Sequence, residues 1–296
     1  MWALATAQVG GQPTGCLRVG TRLYPLAGLD PALPSQTIDL FADWAASSRV
    51  LEAAAKAIEA GRKPDAVEGP LLAPLRYPGK VLCAGANYYD HMAEMGFPGT
   101  KKETQRLFFF TKPPRNAVVG PGATVVMPRG TRKFDWEIEL AAIIGKTARY
   151  ITPERALDHI AGYSVAIDLS TRDFNVAPDQ FYKFDWFAGK GNDTCCPLGP
   201  WMVPAAALPD PQNVALKLSV NGDVKQDSST SQMIYSVAEQ IARASELTTL
   251  DPGDVILTGT PAGVGVPKGT FLNVGDRINA DIAGIGTLSV TVARQA

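Results

Sequence analysis

Three carboxylates define the chemistry open to this sequence. In Phe134-Asp-Trp-Glu-Ile-Glu-Leu-Ala-Ala-Ile-Ile-Gly145 the acids Asp135, Glu137 and Glu139 alternate with Phe134, Trp136, Ile138 and Leu140. The two-residue period of a strand sends the two sets to opposite faces. Alone, that pattern describes a half-solvated strand. The continuation Leu140-Ala-Ala-Ile-Ile144 is apolar on both faces, the mark of a central, buried strand, and carboxylates at the mouth of a core need compensation. Acids two residues apart on a strand have Cα atoms roughly 6 to 7 Å apart, close enough to share a cation. Oxygen-only ligands select a hard ion, Mg²⁺ or Mn²⁺. Asp168 ends a second apolar run, Tyr163-Ser-Val-Ala-Ile-Asp168, and is the expected third ligand for one divalent metal. Three carboxylates exceed the charge such an ion neutralises, so cations are expected beside them. Lys190, between Gly189 and Gly191 in what reads as a loop, is the first candidate.

His91 and Glu94 stand three apart in Asn87-Tyr-Tyr-Asp-His-Met-Ala-Glu-Met95, which reads as a short helix capped by Asn87 and stopped by Gly96. At that spacing they share a face, and the carboxylate is able to orient the imidazole. The second histidine, His159, is expected at a surface helical position. Asp254-Val-Ile-Leu-Thr258 reads as a strand that opens, through Thr260, into a Gly/Pro turn whose N–H groups could form an anion-binding concavity.

The elements that must position these groups are mostly short strands. Of 296 residues, 28 are Gly and 23 Pro, a share that favours turns over long helices. Val50 to Ala60 is a helix closed by Gly61 and Pro64, and others begin at Thr152-Pro153 and at the capping box Ser236-Val-Ala-Glu239. Val214 to Val220, Asn221-Gly222 and Val224 to Gln226 form a hairpin, as do Arg277 to Ile282 and Thr287 to Val292 around Gly284-Ile-Gly286. No parallel helix–strand alternation and no internal repeat emerge. The fold class expected is α+β and β-rich: a twisted, mainly antiparallel β-roll with peripheral helices. The Pro/Leu-rich stretch from Pro64 to Pro78 separates a small N-terminal α/β domain, 1–75, from the main domain, 76–296.

Whole-chain composition narrows the function classes. The 28 Lys and Arg nearly balance 29 Asp and Glu, which leaves no broad basic field for nucleic acid or an anionic membrane. No apolar stretch reaches the length of a membrane span, and the first ten residues do not read as a signal peptide, so a cytosolic address is expected. Cys16, Cys83, Cys195 and Cys196 are too irregularly placed for a disulfide framework or a zinc knuckle and read as buried small hydrophobes.

From Lys80 to Val292 the sequence resembles the fumarylacetoacetate hydrolase family, whose members include acylpyruvase-like and 2-hydroxyhepta-2,4-diene-1,7-dioate isomerase-like enzymes. The motifs that carry the likeness are Asn87-Tyr-Tyr-Asp-His-Met-Ala-Glu94, Phe110-Thr-Lys-Pro113, Glu137-Ile-Glu139, Asp168-Leu-Ser-Thr-Arg-Asp173, Gly189-Lys190, Pro197-Leu-Gly-Pro200, Asn221-Gly222 and Leu257-Thr-Gly-Thr-Pro-Ala-Gly-Val-Gly265. The resemblance implies a β-roll catalytic domain, usually a homodimer, with a metal on Glu137, Glu139 and Asp168. It implies that Lys190 and Thr260 face the substrate, with Arg172 and Asn175 as further binding candidates. His91 and Glu94 become a catalytic pair on a segment that orders over the substrate. Two departures, Asn175 in place of the relatives' Gln and Lys190-Gly-Asn-Asp193 in place of Lys-Ser-Phe-Asp, bear on substrate choice and leave the metal ligands untouched. The activity this implies is hydrolytic C–C cleavage of an acylpyruvate, a 2,4-dioxo acid, through pyruvate enolate, with His91 and Glu94 activating water. Alternatives are decarboxylation of oxaloacetate or isomerisation of a 2-oxo diacid at the same site, and, from another class, a non-catalytic metal-bound binding protein.

Overall fold

Ile138–Ile144 is buried along its whole length and pairs antiparallel with Ile160–Ile167 on one side and Val255–Leu257 on the other. In the computed structural model, which describes residues 1–294, these strands lie inside an 11-stranded sheet. Its main path runs Arg22–Pro25, Gln12–Val19, Trp2–Val9, Cys196–Pro204, Ile160–Ile167, Ile138–Ile144, Val255–Leu257, Val81–Gly85, Phe108–Thr111. A five-stranded sheet, Asp223–Ser229, Ala215–Val220, Arg277–Ile282, Gly286–Arg294, Thr124–Met127, stands against it. The mainly antiparallel β-roll with peripheral helices is the fold observed.

The central strand separates two cores. Ile138, Leu140, Ala142 and Ile144 pack with Leu216, Ile278 and Leu288 of the five-stranded sheet. Ala141 and Ile143, on the opposite face, join Leu4, Leu17, Leu40 and Leu51 of the N-terminal segment. Helix Trp44–Glu59 supplies Leu51 to that second core. It starts six residues before the expected Val50 because Asp43 caps it, accepting Ala46 N–H at 3.0 Å. Trp2–Val9 pairs with Cys196–Pro204, so the N-terminal strands extend the main sheet and cover one face of it.

Three pairings are parallel: Val255–Leu257 with Val81–Gly85, Gly286–Arg294 with Thr124–Met127, and Cys196–Pro204 with Val118–Val119. Their partners lie far apart along the chain, where no local pattern reveals them. Local signals, by contrast, translate directly. Asn221 and Gly222 take φ of 53° and 90°, the positive pair a two-residue hairpin turn requires, and the Ser236–Glu239 capping box closes in both directions ahead of helix Val237–Leu247. All four cysteines are free and buried.

Four expectations are corrected. The acidic strand is broken at Trp136–Glu137 into Phe134–Asp135 and Ile138–Ile144, although Asp135, Glu137 and Glu139 are all buried, as its apolar continuation implied. His159 is buried in the 3-10 turn Leu157–His159, its Nδ1 3.2 Å from the Lys146 carbonyl. Asn87 does not cap helix Tyr89–Glu94; its amide bonds the carbonyls of Tyr235 and Thr258 and the Tyr235 N–H. Lys190 is the last residue of helix Trp186–Lys190, capped by Asp185, and not part of a loop.

Candidate metal centre and its acid–base pair

The pairing register gathers the acids. Ile138 stands opposite Ile167 and Glu139 opposite Ala166, and the Asp168 N–H donates to the Glu137 carbonyl at 2.8 Å. Glu137 and Glu139 share the face of Ala141 and Ile143, so the three carboxylates close the end of the N-terminal core. One ligand atom from each of Glu137, Glu139 and Asp168 lies within 4.8 Å of the others, and all three residues are buried.

Cations surround two of the three. Lys190 Nζ donates to Glu137 Oε2 at 2.5 Å and to Asp168 Oδ2 at 2.8 Å. Arg172 donates to Glu137 Oε1 at 2.6 Å and to Asp135 Oδ2 at 2.9 Å. Burial pushes the Glu137 carboxyl up, but Arg172, Lys190 and His91 together outweigh it and hold the group well below the usual carboxylate range. Glu139, among the described residues, has no ion-pair partner and accepts only the Gly259 N–H at 2.5 Å. Burial first, and then the charges of Asp168 and Glu137, push its carboxyl well above the usual range.

A cation the sequence reading assigned no role completes the cluster. Lys112, fully buried, gives its three protons to the carbonyls of Leu169, Lys190 and Cys195 at 2.9, 2.7 and 2.7 Å. Its ammonium lies 2.7 Å from Asp168 Oδ1, yet with the protons committed elsewhere that oxygen accepts no directed hydrogen bond. Asp168 Oδ1 is therefore a buried carboxylate oxygen whose lone pairs no hydrogen bond uses. The charge count agrees: among the described residues, the Lys and Arg side chains paired with Asp135, Glu137, Glu139 and Asp168 are Lys112, Arg172 and Lys190, three against four. An oxygen-only donor set, an unbonded buried carboxylate oxygen and one negative charge in excess fit a divalent Mg²⁺ or Mn²⁺.

Because a metal takes Glu139 as carboxylate, binding should expel the proton that the metal-free cluster holds there. The raised pKa fixes the sign: apparent affinity rises with pH until the pH exceeds the pKa of Glu139, then levels. Titration calorimetry with Mn²⁺ in buffers of different ionisation enthalpy is expected to show release of about one proton. No buffer dependence would exclude Glu139 as the group that gives it up.

His91 stands across the cavity. Its Nδ1 is 2.9 Å from Glu94 Oε1, and Glu94 is itself fixed, Oε2 accepting the Gly263 N–H at 2.8 Å. Gly263 has φ of +108° and a Cβ there would meet the Lys225 carbonyl at 2.0 Å, so only glycine presents this N–H. The turn does bind anions, but they are the protein's own: Gly259, Gly263 and Gly265 N–H groups go to Glu139, Glu94 and Asp135. Thr260 lines the cavity while its hydroxyl donates to the Ile138 carbonyl and accepts from Gln226. Asn175 packs on Gly189, where a Cβ would lie 2.0 Å from its amide nitrogen. Asn192 bonds Thr171 and the Ala188 carbonyl. Of the two departures from the family pattern, only position 175 borders the cavity.

Residues 80–293 match the family described as fumarylacetoacetate (FAA) hydrolase, C-terminal. The chain belongs to the fumarylacetoacetate hydrolase family. Over 276 residues it is 38% identical to a mitochondrial oxaloacetate tautomerase of Xenopus laevis, an alignment covering 92% of this chain and 83% of that one. A putative HpcE protein from Mycobacterium smegmatis superposes with a TM-score of 0.87 at 32% identity over 100% of both chains. A maleylpyruvate hydrolase from Sphingobium sp. SYK-6, solved with manganese(II) and pyruvate, gives 0.76 at 29% identity, again over 100% of both. Family members thus include enzymes named for tautomerisation and for hydrolysis of 2-oxo acids, and at least one was solved with both a divalent metal and pyruvate.

Proposed function

We propose that this family member is a metal-dependent hydrolase that cleaves the C3–C4 bond of a 2,4-dioxo acid, releasing pyruvate and a carboxylic acid. The observation that carries the reading is the His91–Glu94 pair, anchored by Gly263 and opening on the same cavity as Glu137, Glu139 and Asp168. When bound on those three carboxylates, the divalent ion supplies Lewis-acid charge for the substrate's carboxylate and 2-oxo oxygen.

The chain's own residues account for the rest. With Nδ1–H donating to Glu94, the imidazole keeps Nε2 as a base for water. The oxygen adds to C4 as the proton passes to His91. The C3–C4 bond then breaks, its electron pair leaving as pyruvate enolate, and the proton on His91 is available to C3. Lys190, held at the carboxylates by Glu137 and Asp168, places an ammonium where the enolate charge develops. Arg172 pairs with both Asp135 and Glu137 and offsets part of their charge, which lessens the cluster's repulsion of an anionic substrate.

A second reading, keto–enol tautomerisation of oxaloacetate, is favoured by the name of the Xenopus relative. It uses His91 to move a proton at C3 and needs no water attack. A cavity of about 940 Å³, far larger than a four-carbon diacid fills, favours the first. Incubating the Mn²⁺-loaded protein with 2,4-dioxopentanoate and, separately, with enol-oxaloacetate separates the two. Pyruvate and acetate from the former support hydrolysis, whereas loss of enol absorbance from the latter with no product from the former would replace hydrolysis by tautomerisation. Inertness toward both would favour a binding protein. Among the described residues no helix is long and apolar enough to cross a membrane. A cytosolic homodimer is the setting we propose.

A further inference from the structure

The cavity has two chemically different ends. At one end lie the carboxylates, Lys190 and His91; the other is walled by rings. Phe110 stacks on Trp186 with centroids 5.0 Å apart and planes 12° from parallel. Phe184 and Phe108 lean on the same indole at 4.6 and 5.2 Å. Met92, Met95 and Phe97, on and just after the His91 helix, also line the cavity. The junction between the ends is direct, because Lys190 Nζ sits 5.1 Å above the Phe110 ring.

The fold builds this wall deliberately at the backbone level. Phe108 lies where a Cβ on Gly85 would be 2.1 Å from its ring, so glycine alone lets the ring cross the strand end. Trp186 opens the helix that ends in Lys190, and Asp185 fixes its start by accepting the Ala188 N–H at 2.9 Å. The Asp185 N–H in turn donates to the Asn175 carbonyl at 2.8 Å. The same short element therefore holds an ammonium at the polar end and an indole at the apolar end.

We infer that the site takes a monoanionic 2-oxo acid whose far substituent is apolar, an aryl or branched alkyl group lying against Phe110, Phe184 and Trp186. This rests on the 2-oxo acid reading above, but not on which bond is cleaved. Charge argues the same way. Arg172 and Lys190 are each bonded to two carboxylates, and Lys133, which lines the cavity as Asp173 also does, is exposed, so that among the described residues no buried cation of the lining is unpaired and set to hold a second substrate carboxylate. A diacid would set its distal charge against rings and thioethers at the cost of its hydration, whereas a phenyl or branched alkyl group gains from leaving water.

The test reads binding, so it stands apart from turnover. The Mn²⁺-loaded protein is titrated with 2-oxo-4-phenylbutanoate, 2-oxobutanoate and 2-oxoglutarate, none of which carries a cleavable 4-carbonyl. The phenyl acid is expected to bind at least tenfold more tightly than 2-oxobutanoate, with 2-oxoglutarate weakest. Trp186→Ala and Phe184→Ala should each shrink the phenyl-to-methyl ratio at least threefold, and Trp186→Phe should restore most of it. Equal or tighter binding of 2-oxoglutarate overturns the inference, as does a ratio that both alanine variants leave unchanged. Failure of all three acids to bind, with Mn²⁺ retained, would strike the 2-oxo acid reading itself.

Discussion

Replacing His91 with Ala will lower kcat on a cleavable 2,4-dioxo acid by about two to four orders of magnitude, the usual contribution of a positioned general base. Mn²⁺ affinity should stay within roughly threefold, since His91 contributes no metal-ligating atom to the carboxylate group. The two readouts separate because the imidazole and the carboxylates come from different walls. His91 belongs to helix Tyr89–Glu94, held by Ser228 donating to Asp90 at 2.7 Å and by the Gly263 turn on Glu94, whereas the carboxylates close the end of the central strands. Glu94→Gln should cost less, about 10- to 100-fold, because the amide still fits the Gly263 turn but no longer dictates which ring nitrogen carries the proton. A His91→Ala enzyme with kcat within threefold of the parent would remove the base from the mechanism. One that lost Mn²⁺ binding would instead place the imidazole in the metal centre.

How much of this site was legible in the sequence depends on the range of the signal. Glu137, Glu139 and Asp168 were readable because strand parity is local: the apolar run after the two glutamates and the one before Asp168 each announce a buried strand, and two buried antiparallel strands whose acids lie at adjoining ends meet in one register. The His91–Glu94 contact was readable for the same reason, three residues on a helix. Asp135 shares the alternation, yet the break after it turns its carboxylate to Arg172 and Gly265, which parity does not foretell. His159 was misplaced because a polar residue in a short helical stretch looks solvated until the tertiary contact at Lys146 is known. Lys190 was expected in a loop because flanking glycines suggest one; Gly189 is there to admit Asn175. The aromatic wall was invisible, since Phe108 and Trp186 are 78 positions apart in the chain and only the packing of helix Trp186–Lys190 on strand Phe108–Thr111 brings them together.

Lys112→Met should be the most damaging single exchange for stability, and its cause lies beyond any local pattern. The Phe110-Thr-Lys-Pro113 motif marks the residue, but its partners are carbonyls 57, 78 and 83 positions away. Methionine keeps the length and removes the charge and all three donors. That leaves Asp168 with Lys190 alone and the Leu169 and Lys190 carbonyls without their donor, while the Cys195 carbonyl keeps the Leu169 N–H, and breaking a buried pair from one side costs about 3–5 kcal/mol. For a chain of this size the midpoint should fall by roughly 6–15 °C in a thermal melt of the metal-free protein. Lys112→Arg will not rescue it, because a planar guanidinium cannot turn its N–H groups onto three converging carbonyls as an ammonium does. Metal is expected to offset part of the loss. Removing a cation beside Asp168 makes the carboxylate cluster more negative, so Mn²⁺ should raise the midpoint of Lys112→Met by more than it raises the parent's. A smaller rise would mean that Lys112 chiefly holds Asp168 in position for the metal. A midpoint within a degree or two of the parent's would deny the ion pair any stabilising role.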